Sequence, residues 1–199
     1  MSSSAPTASG AKTKVKTGRP MRADARRNYD LLVETARTML LESDGNAPLE
    51  DIARRAGVGI GTLYRHFPKR LDLLEAVYRE DVDALAHSAR SLIEKYPAWE
   101  ALDRWLHLFV AYAATKRVLL HELIDAVGKE SELLTHSRAV VMESMTDVLR
   151  AAQDAGVART DVQPDDLLRI AGGCTMMPHV EPGQQERMVQ IVLDGVRVV

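Results

Sequence analysis

Cys174 has no second cysteine to pair with, which excludes an internal disulfide and fits a reducing compartment. Aromatic residues are scarce at 5%, and Leu, Val, Ala and Met carry most of the apolar content, a balance that favours helices over strands. No apolar run reaches the ~20 residues that a bilayer-spanning helix needs. Met1 to Gly10 lacks the hydrophobic stretch of a secretory signal. No segment alternates strictly between apolar and polar residues, and nothing repeats at a fixed period. These absences lead to the expectation of a soluble, cytoplasmic, all-α protein without a membrane partner. At 199 residues, 46% of them hydrophobic, the chain is long enough to bury a real core.

Net charge is also small, −2 in total, but it is unevenly spread. Residues 1–80 carry +4 and the remainder −6, and residues 1–27 alone carry +6. A basic end on an acidic body suits one end meeting a polyanion, although basic tails are often simply solvated. Residues 1–20, rich in Ser, Thr, Lys, Gly and Pro, are expected to form a disordered basic arm. Helical spacing follows from Tyr29 through Leu32, Val33, Ala36, Met39 and Leu40, and Asp44 to Pro48 stops it with turn formers. A long helix is expected from the Leu74 region to Tyr96-Pro97. Further amphipathic stretches lie at about 98–115, 117–127, 131–155, 164–177 and 184–198, giving roughly nine helices.

The informative segment is Leu49-Glu-Asp-Ile-Ala-Arg-Arg-Ala-Gly-Val-Gly-Ile-Gly-Thr-Leu-Tyr-Arg-His-Phe67. Two short helices crossing steeply need a small residue at the crossing and a turn residue tolerant of positive φ, and Ala53 and Gly57 supply them. Ile52, Ala56, Val58 and Leu63 are spaced to form the small core between the two helices. That leaves Gly61, Thr62, Tyr64, Arg65 and His66 on the outer face of the second helix, a set suited to the major groove.

This segment, above all Gly61-Thr-Leu-Tyr-Arg-His-Phe-Pro followed by Arg70 and Leu73-Leu74, resembles the DNA-binding domain of the TetR family of bacterial regulators. The resemblance covers roughly the first two fifths of the chain, from Asp30 to Val77. It implies a domain over 21–78 with its helix-turn-helix at about 49–67, followed by a helical ligand-binding and dimerisation domain over 79–199. It also implies a homodimer on double-stranded palindromic operator DNA, usually a repressor, released by a small-molecule effector. Gly61 and Tyr64 would lie near bases, and Thr62, Tyr64 and His66 near phosphates. Arg70 stands where the family usually has a phosphate-binding Lys, and Lys69 stands where a Ser or Thr usually caps the fourth helix. Lys69 is then free for a phosphate contact.

Plainer roles stay open beside these. The Tyr64 ring can pack while its hydroxyl reaches out, His66 can cap its helix, and Arg54 and Arg55 suit a solvated face. Thr17-Gly-Arg-Pro20, after Lys12, Lys14 and Lys16, suits either insertion of Arg19 into an A·T-rich minor groove or diffuse attraction to DNA.

Trp105, Phe109, Tyr112, His121, Met142 and Met145 combine apolar walls with polar groups, as a ligand pocket requires, or else simply fill the core. Leu167, Leu168, Ile170, Ala171 and Gly172-Gly173, with Met188, Val189, Ile191, Val192 and Val196, are expected to form a dimer seam from the last two helices.

Several other signals are set aside. Gly57-Val-Gly-Ile-Gly61 lacks the preceding strand and spacing of a dinucleotide site. His121 and Asp125, and Glu132 and His136, share helix faces, but surface pairing accounts for them more simply than a metal. Cys174 sits in an apolar helix as an inert thiol, and no serine has a base and orienter. No cofactor, metal site or catalytic residue is expected. An enzyme on a helical fold and an architectural DNA-binding protein without a ligand remain the competing readings.

Overall fold

The computed structural model describes residues 18–177, 181 and 183–198, with side chains throughout except at 18–22, 114–118, 120 and 121. Its eight described helices are α1 (Gly18–Glu42), α2 (Leu49–Arg55), α3 (Ile60–His66), α4 (Arg70–Lys95), α5 (Ala98–Val127), α6 (Glu132–Asp154), α7 (Pro164–Thr175) and α8 (Gln184–Val196). The only extended pairing among the described residues is a single bridge between Ala158 and Arg197.

The N-terminal unit forms because each helix offers one apolar stripe. Leu32, Val33, Ala36 and Leu40 of α1 meet Ile52 and Ala53 of α2, Leu63 of α3, and Leu73, Leu74 and Val77 of α4, all buried. Asp44 (φ 49) and Gly45 (φ 89) take left-handed backbone to turn the chain out of α1. The first turn of α1 departs from expectation. Gly18-Arg19-Pro20, assigned above to a disordered arm, is helical. Pro20 falls in the opening turn, where a missing N–H forfeits no intrahelical bond. The arm's other residues, and the Arg19 side chain, lie outside the described residues.

Helix α4 crosses the boundary expected at 78/79 without interruption, so the two parts share one helix. Its Asp81 accepts from Arg37 Nε of α1 at 2.6 Å, fixing the two helices side by side. The stretches expected separately at 98–115 and 117–127 form one helix of 30 residues. Nothing at 115–117 is a glycine or proline, so a polar interruption of the stripe does not stop the backbone. Gly128 (φ 81) does stop it.

Ser131 caps α6, accepting from the Leu134 N–H at 3.4 Å. In α7, Pro164 occupies the first turn and Asp166 accepts from the Gln163 N–H at 3.0 Å. The chain after α8 is stitched back by Arg159 N–H to Val196 O at 2.9 Å and Val198 N–H to Val157 O at 3.1 Å.

Candidate nucleic-acid interface and effector cavity

The turn between α2 and α3 is built by backbone. The Gly57 N–H donates to Arg54 O at 3.2 Å and the Val58 N–H to Ala53 O at 3.0 Å, with Gly57 at φ +67. Val58 and Leu63 are buried beneath it, so α3 is held by one side and presents the other to solvent. Gly61 is exposed, and a Cβ there would meet nothing within 4 Å. Arg65 and Lys69 are exposed and form no ion pair among the described residues, whereas Arg54 pairs with Asp51 at 2.6 Å and Arg55 with Glu42. The first two therefore keep their charges uncompensated at the surface. The other two behave as a solvated face.

Tyr64 is 43% exposed. Its hydroxyl donates to Glu50 Oε1 at 3.1 Å, and this hydrogen bond, with the carboxylate's charge, raises the phenol above its ordinary value. The ring is thus held upright from α2, a support the sequence reading missed. Thr62 is half-buried. His66 does not cap its helix. Its ring meets Tyr29 edge-on at 6.1 Å and lies 6.1 Å from Phe67.

Arg70 departs most from the expected phosphate contact. Its Nη2 donates to Gly45 O at 2.6 Å, its Nη1 to Ala47 O, and its Nε to Glu122 Oε1 at 2.9 Å on α5. The guanidinium fork fits two carbonyls and a carboxylate at once, so Arg70 clamps the α1–α2 loop to α5. Lys69 gives no cap through its side chain. Its N–H instead donates to Asp72 Oδ2 at 2.8 Å, which supplies the acidic half of a capping box.

In the C-terminal part, a cavity of about 510 Å³ opens between α5, α6 and α7. Phe109, Tyr112 and Met142 line it. Trp105 and Met145 do not. Both are wholly buried, and the Trp105 indole N–H is satisfied by Leu85 O at 3.1 Å. They are core, because a helix stripe continues beyond the few positions that face the cavity. Phe109 stacks on Trp105 at 5.9 Å, and the Tyr112 hydroxyl donates to Tyr78 at 3.4 Å. Burial, then the neighbouring Tyr78, pushes the Tyr112 phenol far above its ordinary range. The side chain of His121 lies outside the described residues.

Leu168, Gly172 and Gly173 also line this cavity, rather than belonging wholly to the seam expected of them. Leu167, Ala171, Val189 and Val196 are buried within the protomer, while Ile170 and Ile191 remain 51% and 71% exposed. The stripe divides because a helix packed inward on its own subunit has only its opposite edge left to offer. A second hollow, of about 440 Å³, is lined by Arg79, Asp83, Glu132 and His136 together with Val82, Leu133 and Ser137, a more mixed and charged lining than that of the first. Among the described residues, no three His, Cys, Asp or Glu groups converge as metal ligands. Among the same residues, no helix is long and apolar enough to cross a membrane.

Known proteins share this arrangement. Residues 32–77 match the family described as bacterial regulatory proteins, tetR family, and residues 97–198 match the transcriptional regulator SbtR-like C-terminal domain. The HTH-type transcriptional regulator SAR0097 of Staphylococcus aureus (strain MRSA252) is 27% identical over 128 residues, and the match spans 63% of this chain and 65% of that protein. The TetR transcriptional regulator SCO0520 from Streptomyces coelicolor is 35% identical over 85% of this chain and 98% of its own, with a TM-score of 0.75. A TetR regulatory protein from Mycobacterium vanbaalenii is 33% identical over 90% of this chain and 100% of its own, with a TM-score of 0.71. The chain belongs to the TetR family of bacterial transcriptional regulators, and its C-terminal domain is of the SbtR-like kind.

Proposed function

We propose that the protein is a homodimeric repressor that binds a palindromic operator through α3 and is released when a small molecule enters the cavity between α5, α6 and α7. The observation that carries this reading is the unbroken α5. One helix supplies cavity wall at Phe109 and Tyr112 and, farther along, Glu122, which holds Arg70 beside the helix-turn-helix. A molecule that displaces α5 acts on that clamp without crossing a flexible joint. On the DNA side, Gly61 and Tyr64 would approach bases, with Thr62, Tyr64, Arg65, His66 and Lys69 toward phosphates.

An exposed apolar edge supports the dimeric part of the reading. Ile170 and Ile191 lie on one outer surface of α7 and α8, beside a hollow of about 600 Å³ that both residues line. A two-fold pairing there would cover them, and a dimer of this kind would offer two α3 helices to successive major grooves. Sedimentation equilibrium should give a dimer at micromolar protein, and a persistent mass near 22.0 kDa would count against it. Footprinting on the DNA upstream of the protein's own gene should reveal a protected palindrome. A screen for small molecules that abolish the footprint then tests release. Diffuse protection without symmetry would favour an architectural DNA-binding protein.

A further inference from the structure

The lining of the cavity between α5, α6 and α7 specifies a class of ligand, an inference that rests on that cavity being the effector site. Its walls are Phe109, Val141, Met142, Leu168 and Met176, with three charged groups at its edge. Two of those cancel, because Arg169 Nε binds Asp165 Oδ2 at 2.5 Å. The third, Arg138, is exposed and has no carboxylate partner among the described residues. One Nη of its guanidinium donates to Lys129 O, which leaves most of its five N–H donors open. Arg138 shares a face of α6 with Val141 and Met142, three and four residues on, so its charge stands at the end of the apolar wall.

Neutral anchors are few in the same cavity. The Thr175 hydroxyl is spent on Gly172 O at 2.7 Å, and the Tyr112 hydroxyl is directed at Tyr78. Recognition therefore falls to one cation beside an apolar hollow. The two methionines let that hollow follow chains of differing shape. A doubly charged phosphate would want a second uncompensated cation, and the charge of Arg169 is balanced by Asp165. The cavity also faces away from the outer edge of α7. Asp165, Leu168, Gly172 and Met176 share one side, and Ile170 lies on the other. The geometry points to a hydrophobic monocarboxylic acid as the effector, its chain among the apolar walls and its carboxylate held bidentately by Arg138.

Trp105 stacks on Phe109 with planes 8° apart, so its fluorescence reports on the cavity. In the full chain with Trp99→Phe, leaving Trp105 as the sole indole, decanoate, 1-decanol and decyltrimethylammonium are titrated below micelle formation. Decanoate should bind at one per protomer and about ten- to a hundredfold more tightly than decanol, the span of a charged hydrogen bond. The cationic probe should be weakest. Arg138→Gln should abolish the advantage over decanol, and Arg138→Lys should keep part of it. Equal affinity for decanoate and decanol, or an advantage surviving Arg138→Gln, overturns the acid while leaving an apolar effector cavity standing. No response to any probe overturns both. Decanoate binding that depends on Arg138 but leaves operator affinity unchanged keeps the ligand class and sinks the effector role.

Discussion

The α2–α3 unit and the cavity region solve opposite problems with the same kind of helix. In the first, about twenty consecutive residues carry both the scaffold and the working face. The buried positions Ile52, Ala53, Val58 and Leu63 alternate with the exposed Gly61, Tyr64 and Arg65. In the second, the cavity wall is assembled from three successive helices, with members from Phe109 to Met176 that interleave with core. Phe109 lines the cavity while Trp105, one turn earlier on α5, is wholly buried. The DNA-facing unit is thus a local object defined by a turn. The cavity is a tertiary object defined by what its neighbours leave unfilled.

Truncations should separate the two regions. The largest effect belongs to Trp105→Ala, which should cost about 3–5 kcal/mol in a urea melt. Met142→Ala, half-buried at the cavity wall, should cost far less and alter ligand response instead. Equal losses at both would break the distinction between core and cavity on the apolar stripes. Next comes Gly57→Val, which should destabilise by about 1–3 kcal/mol, since a β-branched residue is strained at positive φ. The site has open space around a Cβ, so the strain is backbone alone and Gly57→Asn should recover most of it. A Gly57→Val protein melting like the wild type would show that the turn relaxes.

Arg70→Ala should cost about 1–2 kcal/mol, because a partly exposed guanidinium is lost from two carbonyls and a carboxylate. The salt dependence of operator binding should stay unchanged, in contrast to a phosphate ligand. Arg65→Ala has the smallest effect on stability, within about 0.5 kcal/mol. It should nevertheless lower the salt slope of operator binding by about one unit. An exchange of these two outcomes would return Arg70 to the phosphate backbone and sharpen where the DNA surface ends.

What the sequence disclosed follows the same division. The helix-turn-helix was legible because its turn glycine, crossing alanine and recognition face are fixed by short spacings. The role of Arg70 was not, because its partner Glu122 lies 52 residues away and pairs only once α4 and α5 are packed. The continuity of α5 was missed because a polar interruption resembles a break when only periodicity is read. The seam was over-assigned for a related reason. Val189 and Val196 carry the same apolar signal as Ile191, and only packing shows that they turn inward while Ile191 faces out. Of the expected pocket, Phe109, Tyr112 and Met142 stand on it, while the charged Arg138 carried no sequence signal that set it apart from other surface arginines.

The clamp between Arg70 and α5 has a thermodynamic consequence for how such a protein would be titrated. A linkage carried by one rigid helix runs equally in both directions. Whatever factor an effector takes from operator affinity, operator must take from effector affinity. If release operates as proposed, an effector measured against free protein will bind more tightly than the same effector measured against protein already on its DNA. The ratio of those two affinities equals the fold-release seen on the operator.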